Sequence, residues 1–233
     1  MLAIISDIHA NFSALTAIMN DITRRNIPNI ICLGDIAGYH SDINECCDLL
    51  RERGIYSLLG NHDWYLVSGI RSEHSRSANR CIDFQKSIVS VKNFEWLKSL
   101  EPQGQYKSLQ AVHGGWNDPI NEYLHPSKEY FSKLPGKLFV SGHTHVPMTF
   151  TYKDKKYCNP GSVGQPRDGD PRASYAIYDG KVFNVHRVPY EISKTQDRMK
   201  AVGFEPYFYA NLSLGARIGG KIDSLVKDIH LES

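Results

Sequence analysis

The sequence predicts an α/β protein: its first part forms a parallel sheet with crossover helices, and its second part adds strands in mixed or antiparallel pairing. Two patterns carry this. Over residues 1–60, short continuous apolar runs alternate with segments of helical period, and this β-α-β-α-β order needs crossover connections. From Gln105 onward, short apolar or alternating runs follow one another with turn residues between them.

Taken in order, Leu2–Ile5 reads as a strand covered on both faces. Leu15, Ile18, Met19 and Ile22 recur at helical spacing behind Ser13, a candidate N-cap. Ile30–Leu33 is a second strand, Ile43–Arg53 a helix stopped by Gly54, and Ile55–Leu59 a third strand. Ser75–Lys86 and Ser90–Leu100 are helical, the second closed by Pro102. Strands are then expected at Gln105–Lys107, Leu109–Val112, Lys137–Val140, Met148–Tyr152, Lys155–Cys158, Ser174–Asp179 and Val182–Val188, the last two joined by a hairpin at Gly180. After Pro189 the pattern is helical again, and Ile222, Leu225, Val226 and Ile229 form an apolar stripe. With no repeat or linker in between, the simplest organisation is one domain over residues 1–190 with a helical extension, 191–233, packed on it.

Composition narrows the function classes. A chain of 233 residues can bury one large core. A net charge of +2 is too small to point to a nucleic-acid or membrane partner. The five cysteines are odd in number and contain no C-x-x-C pair, which argues for reduced, buried thiols and a cytoplasmic location rather than a disulfide framework or zinc ribbon. The N-terminal apolar run lacks a basic flank and is too short for a signal peptide, and no stretch approaches the ~20 apolar residues of a membrane span.

The chemistry sits just after the apolar runs. Asp7-Ile8-His9 follows the first, Gly34-Asp35 the second and Gly60-Asn61-His62-Asp63 the third. His113-Gly114 follows Leu109–Val112, and Gly142-His143-Thr144-His145 follows Lys137–Val140. Open α/β sheets bind ligands at the carboxyl ends of their strands. Each motif alone is weak: a single His is usually a surface or core residue, and Asn-His-Asp after Gly can be a simple turn. Their common position is what tells. Two carboxylates, one amide and four imidazoles make a mixed O/N donor set without thiolate, suited to Mn, Fe, Zn, Co or Ni rather than Ca or Mg. Seven ligands exceed what one cation takes, whereas two cations sharing a carboxylate accommodate them.

This run of motifs (D-x-H, G-D, G-N-H-D, a lone H, then G-H-x-H) resembles the calcineurin-like metallophosphoesterase superfamily. The text around it is similar to a small bacterial branch of phosphodiesterases and diadenosine-tetraphosphatase-like proteins, through Gly34-Asp35-Ile36-Ala37-Gly38-Tyr39 and the loop from Asn159 to Arg172. The resemblance implies a four-layer α/β/β/α sandwich of two mixed sheets and two divalent transition-metal ions, manganese foremost. It implies that Asp7, His9 and His145 hold one ion, that Asn61, His113 and His143 hold the other, and that Asp35 bridges them. His62 would be the catalytic residue, facing the ester without binding metal.

Two such ions activate a bridging hydroxide for in-line attack on phosphorus, and a cationic His62 would stabilise the phosphoryl oxygens and protonate the leaving group. The expected function is therefore a metal-dependent phosphoesterase, phosphodiesterase ahead of phosphatase, on a small phosphorylated substrate such as a nucleotide, with neither nucleic acid nor membrane as partner. One departure matters. Protein phosphatases of this superfamily carry G-D-x-x-D-R-G, where this chain has Gly38 and Tyr39 in place of the second Asp and the Arg.

Arg167 and Trp116 are candidate substrate contacts, through phosphate and base stacking respectively. The alternatives are a loop brace for Arg167, as for Arg172, and simple packing for Trp116. Two other functions compete. One is a scaffold like the vacuolar-sorting subunit of this superfamily, which lacks the catalytic His kept here as His62. The other is a nuclease, for which this chain shows no basic track.

Overall fold

In a computed structural model of the chain, describing residues 1–73 and 75–223, the first strand β1 (Leu2–Ile5) leads into helix α1 (Phe12–Arg24). The cap of α1 is Asn11, two residues before the expected Ser13. Its side-chain oxygen accepts from the Ala14 amide and the Thr195 hydroxyl, while its amide donates to the Gly164 carbonyl. A long-range network therefore sets this helix start, and local sequence does not report it. The helix buries Ala14, Leu15, Ile18, Met19 and Ile22, the face its spacing foretold.

Strand β2 (Asn29–Cys32), helix α2 (Ile43–Glu52) and strand β3 (Tyr56–Ser57) follow. The third strand is much shorter than its apolar run. The run continues into Gly60, which caps helix α3 (Asn61–Ser68), an element absent from the sequence expectations. Ser75 caps α4 (Arg76–Ile88) and Ser90 caps α5 (Val91–Lys98), each accepting from a backbone amide three residues on. Strands β4 (Gln103–Tyr106) and β5 (Leu109–Val112) form a hairpin. A second unforeseen helix, α6 (Lys128–Ser132), precedes β6 (Leu138–Ser141). Strands β7 (Met148–Tyr152), β8 (Lys155–Asn159), β9 (Ala173–Tyr178) and β10 (Phe183–Val188) complete the sheets, before helix α7 (Ile192–Ala201).

The strands make two five-stranded mixed sheets, ordered β10-β9-β1-β2-β3 and β4-β5-β6-β8-β7. β1, β2 and β3 pair in parallel as predicted, with β9 antiparallel on the far side of β1. In the second sheet β5, β6 and β8 are parallel, with antiparallel β4 and β7 at the edges.

Three apolar layers hold the stack. Ile4, Ile31, Leu33, Leu58, Leu109 and Val140 fill the space between the sheets, each worth roughly 1.5–3 kcal/mol on burial. Residues from α1, α2 and α5 cover the first sheet's outer face, and Leu124 and Phe131 cover the second's. The result is the α/β/β/α sandwich. After α7 the chain runs through two 3-10 turns, Pro206–Phe208 and Ala210–Leu214, and Met199, Phe204 and Tyr209 pack on Cys81 of α4. Of the apolar stripe expected in the tail, Ile222 is exposed. Leu225, Val226 and Ile229 lie outside the described residues.

Candidate metal centre

The ends of β1, β2 and β3 in one sheet, and of β5 and β6 in the other, meet at one edge of the stack. Backbone hydrogen bonds tie the turns there to one another: Asp7 N to Gly34 O, His9 N to Asp35 O, and Gly142 N to His113 O. The turns are tight. Asp7, His9, Asp35, His143 and His145 all sit in the left-handed region, at φ between 50° and 67°. Each such residue costs ~1–3 kcal/mol, and strain of this kind persists where a site requires it.

The turns bring the predicted donors together. Asp7, His9, Asp35 and His145 offer atoms that all lie within 4.8 Å of one another, and Asp35, His113 and His143 form a second such group. Asn61 joins the second, its Oδ1 being 3.1 Å from His113 Nε2. Asp35 belongs to both: Oδ2 is 3.6 Å from His9 Nε2 and Oδ1 is 3.5 Å from His113 Nε2.

Hydrogen bonding fixes which ring nitrogens are free. Nδ1 of His9 lies 2.9 Å from the Ala37 carbonyl, Nδ1 of His113 2.8 Å from that of Leu33, and Nδ1 of His145 2.6 Å from that of Gln165. A carbonyl only accepts, so each Nδ1 carries the proton, and a neutral ring then presents a bare Nε2 lone pair to the site. His9 Nε2 and His145 Nε2 consequently face each other at 3.0 Å, lone pair to lone pair. Among the described residues, Asp7 Oδ1 and His143 Nε2 are buried with no hydrogen-bond partner. Such an arrangement is repulsive by itself and becomes favourable around a cation, so the donor set fits divalent metal.

Charge tells the same story. Burial pushes the Asp7 carboxyl up to about 7, against the pull of His113. Burial and neighbouring Asp63 also push Asp35 well above the usual carboxylate range. Burial holds His9, His143 and His145 well below the usual imidazole value, so their approaches to Asp7 and Asp35 are not ion pairs.

A stability profile follows. Up to pH ~6.5 the unfolded chain binds more protons on these histidines, so stability rises with pH. Above that, only the carboxylates contribute. Their raised values mean that the folded chain binds more protons, so stability falls through about pH 7, the Asp7 value. Chelator-treated protein is expected to melt highest near pH 6–6.5, and added divalent ion should remove the decline on the alkaline side. Thermal melts at pH 5, 6.5 and 8 check this, and a steady rise to pH 8 without metal contradicts it.

The sequence pattern of the calcineurin-like phosphoesterase superfamily domain matches residues 1–181. The chain belongs to that superfamily. It is 37% identical over 224 residues to an uncharacterized protein of Methanocaldococcus jannaschii, covering 85% of this chain and 91% of the other. A crystal structure of a metallophosphoesterase from Sphaerobacter thermophilus superposes with a TM-score of 0.82 at 33% identity, covering 92% of this chain and 98% of that one. A hypothetical protein of Pyrococcus horikoshii shares the fold at a TM-score of 0.84 and 18% identity, over 93% and 100% of the two chains.

In this phosphoesterase, His62 lies at the start of α3 beside the first donor group, its ring 4.8 Å from that of His9 and 4.7 Å from that of Tyr39. The expectation of a cationic His62 needs correcting: burial, then the Arg167 guanidinium, hold it down to about 3. Among the described residues its buried Nδ1 has no hydrogen-bond partner, which is the counterpart of the missing Asp. Gly38 stands there instead, at φ 100°, and a Cβ on it would sit 2.8 Å from His9 Nδ1 and nearer still to His62 Nδ1. Gly38→Ala is therefore expected to cost ~1–3 kcal/mol and to lower turnover by displacing His62. Paired denaturation curves and turnover measurements test this; a variant with parental turnover would show that the His62 position is not critical.

Asp63 accepts from the amides of Ile36, Ala37 and Gly60, clamping the Asp35 turn to the start of α3. It thus positions two sets of donors from one carboxylate. Arg172 is a brace, paired with Asp170 at 2.7 Å. Trp116 packs edge-on against Phe131 and Phe139 on the outer face of the second sheet. Arg167, by contrast, is buried at the site, with its guanidinium on the hydroxyls of Tyr39 and Tyr123.

Sequence reasoning gave no role to Tyr39, Tyr123 or Gln85. Tyr123 lies 4.4 Å from the His143 ring. Gln85 of α4 accepts from the Gly38 amide and donates to the carbonyls of Gly38 and His40. Nothing in their local sequence signals these contacts, which come from chain crossings far away in sequence.

Proposed function

We propose that the chain hydrolyses phosphodiesters at a dinuclear centre, with Asp35 as the shared ligand. The observation that carries this reading is the placement of the Asp35 carboxylate, with one oxygen toward each donor group, at the floor of a cavity of about 900 Å3. Such a volume is in the range of small-molecule sites and far exceeds a lone phosphoryl group. It leaves room for a substituent on each ester oxygen. Trp64, Tyr65 and Tyr123 on its walls provide aromatic surface for a flat organic group, which favours a nucleotide-like substrate.

Metal ions bound there would supply Lewis-acid charge to the phosphoryl oxygens and a nucleophile at neutral pH. The protein's own part is orientation and proton handling. Asp7, Asp35, Asn61, His9, His113, His143 and His145 would hold the ions. His62 is neutral in its buried position, and a phosphoryl anion beside it favours its cation, so the ring takes up a proton as substrate docks and delivers it to the leaving oxygen. The five cysteines are free and buried, which supports the cytoplasmic reading, and no helix among the described residues is long and apolar enough to cross a membrane.

The deciding experiment reloads metal-stripped protein with Mn and assays aryl phosphate mono- and diesters, cyclic nucleotides and dinucleoside polyphosphates. Preference for diesters supports the proposal. Turnover of monoesters alone replaces it with a phosphatase, and no turnover with metals bound replaces it with a scaffold.

A further inference from the structure

We propose that Arg167 is the phosphate clamp of this site, a guanidinium that contacts an oxyanion of the substrate from the loop after β8. The inference rests on the phosphoesterase reading for the identity of the anion. Its own support is geometric.

Arg167 is 5% exposed. It donates to the Tyr123 hydroxyl at 3.2 Å and to the Tyr39 hydroxyl at 3.0 Å, and its charge lies 5.8 Å from the Tyr39 ring centre. No carboxylate among the described residues lies within ion-pair distance of it. Asp168, next in sequence, is paired with Arg187, and Asp223, whose amide donates to the Arg167 carbonyl, is paired with Arg217. Its two side-chain partners are phenol hydroxyls, not carboxylates. A guanidinium has five N–H donors, and the described residues take up two. A buried, permanently charged group without a counter-ion carries a large desolvation cost, and an anion bound against it offsets that cost.

The direction in which the free donors open is set by neighbours. Arg167 lines the same cavity as Asp35, His62, His143 and His145. Two residues before it, the Gln165 carbonyl orients the His145 ring, so one short segment fixes both a metal-facing imidazole and this cation. Its positive charge depresses the basicity of His62, His143 and His145, which places it in electrostatic reach of the whole centre. Tyr39 occupies the position where related phosphatases carry Arg, and its hydroxyl receives the Arg167 N–H. The cation thus reaches that corner from a different loop.

A brace and a clamp make opposite predictions. In Mn-loaded protein, Arg167→Met is expected to weaken the binding of inorganic phosphate, measured by calorimetry, roughly 10- to 100-fold, the worth of a charge-assisted hydrogen bond. The KM for an aryl phosphodiester should rise, the metal content should stay at the parental value, and the melting temperature of the metal-stripped protein should not fall. Arg167→Lys should recover part of the phosphate affinity and serves as the second variant if the Met form does not fold. Unchanged phosphate affinity with metals retained, in either variant, overturns the proposal. So does a large loss of melting temperature with no loss of phosphate affinity, which is the mark of a brace. Phosphate binding that depends on Arg167 in a protein that turns over no ester leaves the clamp standing and refutes the phosphodiesterase reading, so the two failures are distinct.

Discussion

Asp35→Ala is expected to abolish turnover and metal occupancy together. Asp35 is the one side chain shared by both donor groups, so its removal takes an oxygen from each. It also takes the acceptor of the His62 amide, 2.8 Å away, and so loosens the start of α3 where Asn61 sits. Metal analysis after gel filtration should find no ion retained at parental affinity, and diester turnover should fall to the level of buffer. Asp35→Asn isolates the charge. Because burial and Asp63 oppose ionisation of Asp35, the metal-stripped Asn form should unfold no more easily than metal-stripped parent. Retention of two tightly held ions by Asp35→Ala would refute the shared-ligand assignment.

His62→Ala is expected to separate what Asp35→Ala joins. His62 is in neither donor group, and its nearest roles are a ring contact to His9 and one to Tyr39. Turnover at saturating substrate should fall ~10²–10⁴-fold, the usual contribution of a general acid, while two ions remain bound. The loss should be smaller for esters with good leaving groups, which need less protonation. Full turnover on every substrate, poor leaving groups included, would remove His62 from the chemistry.

How much of this was legible from sequence depended on whether the signal was local. The parallel β1-β2-β3 core and the donors at its strand ends were readable because a short apolar run broken by polar residues, after Gly34 and Gly60 in two of the three cases, is a local pattern. Helix α3 was hidden because its first residues, Asn61, His62 and Asp63, are turn formers. They become helical through an Asp63 side chain that caps Gly60 and grips Ile36 and Ala37. The N-cap Asn11 was missed for the same reason, since its partners are Gly164, Tyr190 and Thr195. Arg167 and Trp116 each allow two readings in sequence, and their contacts differ: phenols at the cleft for one, phenylalanines on the outer sheet face for the other.

The donors divide between the two sheets: Asp7, His9 and Asp35 leave strands of one, and His113, His143 and His145 leave strands of the other. Among the described residues no strand hydrogen bond crosses from sheet to sheet, so side-chain packing and the turns at this edge join them there. A bound ion pair would act as a rivet through both plates. Neither could peel away at that end without stripping ligands from a cation, which would tie the lifetime of the folded chain to the residence time of bound metal as well as to its core.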